Sequence, residues 1–81
     1  MTMERRPMIL RRRLGRRIKR LRESAGLSLD EAALRLEKTH RSLNRYETGE
    51  SAIDMHLARS MMDLYDVYDG DLLDYVREEQ S

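Results

Sequence analysis

The stretch from Ser28 to Gly49 reads SLDEAALRLEKTHRSLNRYETG and predicts two short helices joined by a tight turn. Apolar residues recur at helical spacing in each half, so each helix has one apolar face. These positions are Leu29, Ala32, Ala33, Leu36, Leu43 and Tyr46. Thr39 stands just before the second helix, where its hydroxyl can accept a hydrogen bond from a first-turn amide. The pattern therefore predicts two helices that share a buried core, the second capped by Thr39.

Several polar side chains on the second helix lie away from this apolar face, and burying a core does not require them. Arginine can bond O6 and N7 of guanine, and asparagine can bond N6 and N7 of adenine, each through two hydrogen bonds. A solvated helix face is the alternative interpretation. We predict base contacts in a DNA major groove, as made by the second helix of a helix-turn-helix. The residues concerned are His40, Arg41, Asn44 and Arg45.

Composition limits the other functions that the chain could have. Its 81 residues are enough for one small domain, and 40% apolar residues at periodic positions favour a single helical core. The absence of cysteine excludes disulfides and thiolate metal sites, and the two separate histidines lack metal-site spacing. We therefore predict neither a metal nor a cofactor. No nucleophile stands beside a base and an orienting acid, so we predict no enzymatic activity.

Charge is sorted along the chain despite a net charge of only +1. Residues 1–22 carry ten Lys or Arg and one acid, Glu4, whereas residues 51–81 carry two basic and eight acidic residues. This asymmetry predicts a basic end that meets a polyanion and an acidic end turned away from it. With no apolar run that could span a membrane, we expect a cytoplasmic, nucleoid-associated protein with no membrane partner.

Pro7 divides the basic end into an arm and a helix, because proline interrupts a helix interior. We predict a flexible basic arm over residues 1–10, whose Arg5 and Arg6 reach a DNA minor groove. Residues 11–81 then form the helix-turn-helix domain. The predicted helices cover about 11–25, 29–37, 40–48, a segment capped by Asp54, and 71–79. The expected fold is all-α, with five helices and no strands.

Four segments carry a resemblance to a known family: RLRESAGLS, DEAA, THRSLNRYETGE and LARSMMDLYDV. Together they resemble the DNA-binding domain of lambda-type repressors, Cro and XRE regulators, over roughly Leu14–Val67. The resemblance implies a five-helix lambda-repressor-like fold with the helix-turn-helix at about 29–48. It also implies sequence-specific binding of double-stranded DNA in transcriptional regulation, by a repressor on an inverted repeat.

The family pattern suggests further roles for individual residues. Arg22 and Glu47 occupy positions that often form an ion pair between the first and third helices. Two departures concern Leu29, where glutamine is common, and Glu37, where the turn usually has glycine. A non-glycine residue in a left-handed turn is conformationally costly. We expect DNA phosphate contacts from Thr39, Ser42, Arg16, Arg17, Arg20 and Lys38.

The last predicted helix has more apolar residues than one core-facing stripe needs, which favours a homodimer through that helix. The predicted dimer residues are Leu72, Leu73, Tyr75 and Val76. Leu29 and Glu37 do not help DNA binding, so a second class of function stays open. This alternative is a protein-interaction module of the same fold, antitoxin-like or bound to a partner regulator. A further C-terminal domain is another candidate partner.

Overall fold

The structure, a computed structural model, describes residues 5–80, with side chains described from Met8 to Glu79. This part of the chain folds as five α-helices and contains no β-strand. The helices are α1 (Arg5–Ser24), α2 (Leu29–Arg35), α3 (His40–Thr48), α4 (Met55–Tyr65) and α5 (Gly70–Gln80). The predicted all-α fold is therefore confirmed.

Helix α1 begins six residues earlier than predicted, at Arg5 instead of about Arg11. Pro7 lies in its first turn, where a backbone N–H has no acceptor within the helix, so proline costs little there. The prediction of a flexible arm is thus wrong for residues 5–10, while residues 1–4 lie outside the described part of the chain. The side chains of Arg5 and Arg6 also lie outside it, so their predicted minor-groove contact stays a prediction.

Capping residues fix the ends of α2 and α3. Ser28 accepts a hydrogen bond from the Glu31 amide, and the Glu31 carboxylate accepts one from the Ser28 amide, which completes a capping box. Gly49 ends α3 in the left-handed conformation, with φ of 86°. Helix α2 ends at Arg35, two residues earlier than predicted, because Glu37 itself takes a left-handed backbone with φ of 57°.

Aspartates order the second half of the fold. Asp54 caps α4 through a 2.7 Å hydrogen bond from the Leu57 amide. The Asp69 carboxylate accepts a 3.1 Å hydrogen bond from the Leu72 amide in the first turn of α5. Both contacts satisfy amides that have no acceptor within their own helix.

The core lies between α1 and the other helices. Because the sequence has no Phe or Trp, its aromatic side chains are all tyrosines. Helix α1 approaches α3 very closely at Gly15, where an added Cβ would lie 2.4 Å from the carbonyl oxygen of Glu47. The buried apolar residues are Leu14, Ile18, Ala32, Ala33, Leu43, Ile53, Leu57, Ala58, Met61, Met62, Tyr65, Leu72 and Val76. Between residues 5 and 80, no helix has the length and apolar character needed to cross a membrane.

The predicted dimer surface on α5 is wrong for two of its four residues. Leu72 and Val76 are fully buried in the core of this chain, so they cannot contact a second copy. Leu73 and Tyr75 are half-buried and pack against the same core. Both α1 and α4 pack against α5, so part of its apolar surface belongs to the core of this chain. The exposed positions of α5 are polar: Asp71, Asp74, Arg77 and Glu78.

Candidate nucleic-acid interface

Helix α3 presents a row of polar side chains from a firmly anchored backbone. Its N-terminus is fixed by Thr39, whose hydroxyl accepts a 3.0 Å hydrogen bond from the Ser42 amide. Leu43 is buried on its inner face. All four side chains predicted to contact bases are exposed on one helix, so the structure brings them together: His40, Arg41, Asn44 and Arg45. This exposed face, called the recognition face below, is nine residues long at most.

His40 is held by Asp30, a contact that sequence reasoning missed. The Nδ1 atom of His40 lies against the Asp30 carboxylate, although both side chains remain largely exposed. Because an ionised carboxylate can only accept a hydrogen bond, Nδ1 carries the proton and Nε2 is left for an outside partner. Asp30 thus links the start of α2 to the start of α3, a link that Leu29 cannot make. The only sequence signal was an acid in the first turn of α2.

The ion pair predicted between Arg22 and Glu47 is formed and buried. Arg22 donates to Glu47 from Nε at 2.7 Å and from Nη2 at 3.0 Å, and its Nη1 donates to the Leu27 carbonyl at 2.9 Å. The two side chains are only 8% and 3% exposed. The hydrogen bond to Glu47 raises the pKa of Arg22 above its ordinary value, although burial opposes this. The pair fixes the last turn of α1 against the last turn of α3.

Tyr65 packs beside this pair with its hydroxyl buried and without a hydrogen-bond partner. Burial and, to a smaller extent, the charge of Glu47 raise the pKa of Tyr65 to about 12, although the charge of Arg22 opposes this shift. The phenol therefore stays neutral at any physiological pH.

A groove of about 470 Å³ separates α1 from the recognition face. Three cations of α1 line one side of this groove, and Asn44 and Thr48 of α3 line the other side. The buried Glu47 lies at the bottom of the groove. The cations are Arg12, Arg16 and Lys19. Sequence reasoning predicted only Arg16 among them, because the side of α1 that faces α3 depends on the close approach at Gly15.

Arg17 is already paired with an aspartate, so the phosphate contact predicted for it stays a prediction. It donates to Asp69 from Nε at 2.6 Å and from Nη2 at 2.8 Å, and its guanidinium lies 5.9 Å from the centre of the Tyr75 ring. These contacts join α1 to α5, and the hydrogen bond to Asp69 raises the pKa of Arg17. The helical pattern showed a basic face but could not show which arginine would meet an aspartate 52 positions later.

The remaining predicted phosphate residues lie in different places. Thr39 and Ser42 form the first turn of α3, close to the recognition face, and Thr39 is exposed. Lys38 is exposed in the turn and lines a groove of about 490 Å³ between α2 and α4. Arg20 lies on the side of α1 that faces α5, in a groove that includes Tyr75. The structure therefore groups Thr39 and Ser42 with the recognition face but separates Arg20 from it.

Helix α3 is capped at its N-terminus, exposes a polar face and is flanked by a row of cations. Together with α2 it forms a helix-turn-helix DNA-binding domain. A family model described as a helix-turn-helix domain matches residues 13–76, and the chain therefore belongs to this family. The chain is also similar to a curated protein of Pyrococcus abyssi that is provisionally named as an HTH-type transcriptional regulatory protein. The two are 40% identical over 52 residues, which are 64% of this chain but only 16% of that relative. No solved structure gives a significant match.

Proposed function

We propose that this chain binds double-stranded DNA at specific sites and represses transcription, with α3 in the major groove. The observation that supports this most strongly is the position of the basic groove beside the recognition face. A helix in the major groove is flanked by two phosphate backbones, so cations beside it stabilise the complex for any sequence. Polar side chains on the helix itself then provide discrimination between sequences.

Within this proposal the contacts divide by position on the domain. The recognition face supplies the base contacts from His40, Arg41, Asn44 and Arg45. The backbone of one strand lies along the groove of Arg12, Arg16 and Lys19. The first-turn amides of α3, with the side chains of Thr39, Ser42 and Lys38, meet another phosphate. Amides at a helix N-terminus suit an anion because they have no acceptor within the helix.

A homodimer on an inverted repeat is the second part of the proposal. One recognition face of this length offers few base contacts, and two copies spaced by about 34 Å would double them. Of the four residues first predicted for the interface, only Leu73 and Tyr75 retain exposed surface. The named relative is described as a transcriptional regulator, which supports a role in transcription but concerns a much longer protein.

A salt titration of binding to mixed-sequence duplex DNA tests the DNA-binding function. The logarithm of the binding constant falls with the logarithm of salt concentration, with a slope of about −0.9 for each phosphate neutralised. We expect a steep negative slope for the wild type. Absence of duplex binding at low salt would contradict the proposal and favour the protein-interaction module. Sedimentation with an inverted-repeat duplex, for the wild type and Leu73→Asp, tests the dimer separately.

A further inference from the structure

A second basic surface lies on the side of α1 that faces α5. Four arginines, two of them adjacent in the chain, recur there at helical spacing and form a single stripe about 10 Å long. We call Arg13, Arg16, Arg17 and Arg20 the arginine stripe. With Tyr75 of α5 they line a groove of about 370 Å³. This groove is separate from the one beside the recognition face, although Arg16 lines both.

Most of the charge on the arginine stripe is not neutralised within the chain. Arg17 is paired with Asp69 at 2.6 Å and lies 3.8 Å from Asp71. Arg13, Arg16 and Arg20 have no ion-pair partner among the described residues. Like charges three or four residues apart on a helix repel one another, so a bound polyanion would relieve a repulsion present in the free domain.

The cations form a continuous band around α1. Arg12 and Lys19 lie on the α3 side, Arg13 and Arg20 lie on the α5 side, and Arg16 connects the two. The groove that the proposed function assigns to a duplex is lined by Arg12, Arg16 and Lys19, and neither Arg13 nor Arg20 lines it. The α5 side therefore has the chemistry of a phosphate-binding surface but lies outside the groove assigned to that duplex.

We propose that the arginine stripe binds the phosphate backbone of a second duplex segment, so that one domain can hold two stretches of DNA. The inference rests on the proposed function and extends it from site recognition to DNA bridging. Arginine suits this role because its planar guanidinium can give two hydrogen bonds to one phosphate. Binding to the stripe involves no base contacts, so it is independent of sequence and sensitive to salt.

The acidic face of a second copy is the competing occupant of the stripe. Asp71, Asp74 and Glu78 are exposed on α5 and could meet it by charge. Such a contact would join two different surfaces head to tail and would continue into a ring or an open chain of copies. A duplex is favoured because its evenly spaced phosphates match a continuous band of cations, and the band already extends to the proposed DNA site through Arg16.

The test measures bridging and single-duplex binding in parallel with the full chain. Two mixed-sequence duplexes of about 20 base pairs, two helical turns, carry a fluorescence donor and an acceptor. Arg13→Gln/Arg20→Gln removes two charges from the stripe, and Arg12→Gln/Lys19→Gln is the matched control on the α3 side. All four side chains are exposed and have no ion-pair partner among the described residues, so both double variants should fold normally.

At low salt the wild type should produce protein-dependent energy transfer between the duplexes. The stripe variant should lower this signal about fivefold or more while single-duplex affinity changes by less than about twofold, because only the second contact loses charge. The control variant should weaken single-duplex binding clearly. Bridging that persists in the stripe variant would overturn the inference, as would equal effects of both variants on single-duplex affinity.

Three further outcomes separate the alternatives. Self-association in sedimentation without DNA, lost in Arg13→Gln/Arg20→Gln, would assign the stripe to a second copy and overturn the DNA inference. Single-duplex binding by the wild type without any bridging would reject the inference and leave the proposed function intact. No duplex binding by the wild type at low salt would reject both.

Discussion

The guanidinium of Arg22 and the carboxylate of Glu47 form two hydrogen bonds, at 2.7 and 3.0 Å, in a part of the core that excludes almost all water. Arg22 also donates to the carbonyl of Leu27, so all three of its nitrogen atoms are used. A buried charge costs free energy unless it is paired in good geometry. The pair therefore fixes the angle between α1 and α3, and with it the direction of the recognition face.

Removing one partner of this pair should cost much more stability than removing a surface pair. Glu47→Ala leaves the Arg22 charge buried without a partner, so we expect a loss of about 3–5 kcal/mol. Asp74→Ala is the control, since Asp74 and Arg77 are paired at 3.4 Å but are 71% and 65% exposed. This control should lose less than about 1 kcal/mol. Urea unfolding of both variants gives the comparison; similar losses would show that burial of the pair has no energetic weight.

Gly15 should tolerate no side chain. A Cβ at this position would lie 2.4 Å from the Glu47 carbonyl oxygen, and a backbone atom cannot move aside without shifting α3 against α1. We expect Gly15→Ala to lose about 1–3 kcal/mol or more, although alanine is the better helix former. Gly70→Ala is the matched control because its Cβ would meet only Tyr68 at 3.5 Å, an ordinary contact. Thermal unfolding should show a lower melting temperature for Gly15→Ala alone.

The ends of α2 and α3 were predictable because local chemistry decides them. Ser28 and Thr39 cap the helices through hydrogen bonds to amides three residues ahead, and Gly49 provides a left-handed end. These interactions involve residues close in the chain, so a sequence pattern contains them. The bounds predicted for α3 are those observed, and α2 differs by two residues at its end.

The sidedness of α1 and α5 was not predictable, because it depends on packing between distant parts of the chain. A helical pattern places Arg17 on a basic face, but only the fold shows that Asp69 of another segment meets it. For the same reason the pattern could not separate Leu72, which is fully buried, from Leu73, which is not. The site was thus predicted on α3 and only partly on α1, where Arg12 and Lys19 were missed.

Glu37 offers a position where a substitution should stabilise the domain. Its backbone is left-handed, with φ of 57°, a conformation that costs a non-glycine residue about 1–2 kcal/mol. Glycine removes this cost but adds flexibility to the unfolded chain, so we expect Glu37→Gly to gain up to about 1 kcal/mol. Glu37→Gln is the control, because it removes the charge but keeps the strained backbone. Equal stability of the two variants would mean that charge, and not backbone conformation, determines the effect.

Acid should weaken the contact between α1 and α5. Burial opposes ionisation of Asp69, but hydrogen bonds from Arg17 and the Leu72 amide outweigh it, so the pKa of Asp69 lies below its ordinary value. An acid of this kind contributes stability that is complete above its unfolded pKa of about 3.9 and is lost as the pH falls through the folded value.

The variant Asp69→Asn isolates this contribution, because asparagine still caps α5 but cannot pair with a cation. It should be less stable than the wild type at pH 7, and the difference should narrow as the pH falls below about 4. Arg17→Gln removes the other partner of the same pair. Its stability difference from the wild type should also narrow as the pH falls. Urea midpoints measured at several pH values test this; a difference that stays constant with pH would contradict it.

The two kinds of DNA contact should respond differently to substitution. Arg41→Ala and Asn44→Ala remove side chains of the recognition face, so each should reduce discrimination between preferred and mismatched sites by about 1–3 kcal/mol. Arg12→Gln and Lys19→Gln remove cations of the flanking groove. Each should weaken binding to all sequences alike and reduce the salt slope by about 1, because one fewer counterion is released.

Selection of preferred sites from a randomised duplex pool, followed by titration at several salt concentrations, measures both effects on the same proteins. Arg59→Gln is the control, since Arg59 is exposed on α4 and belongs to neither the recognition face nor the flanking groove. It should change neither discrimination nor slope appreciably. If Arg41→Ala and Asn44→Ala keep the sequence preference of the wild type, these two side chains of α3 do not read the bases. An altered preference in Arg12→Gln, with the salt slope intact, would place sequence recognition on α1 instead, because a phosphate contact carries no direct sequence information.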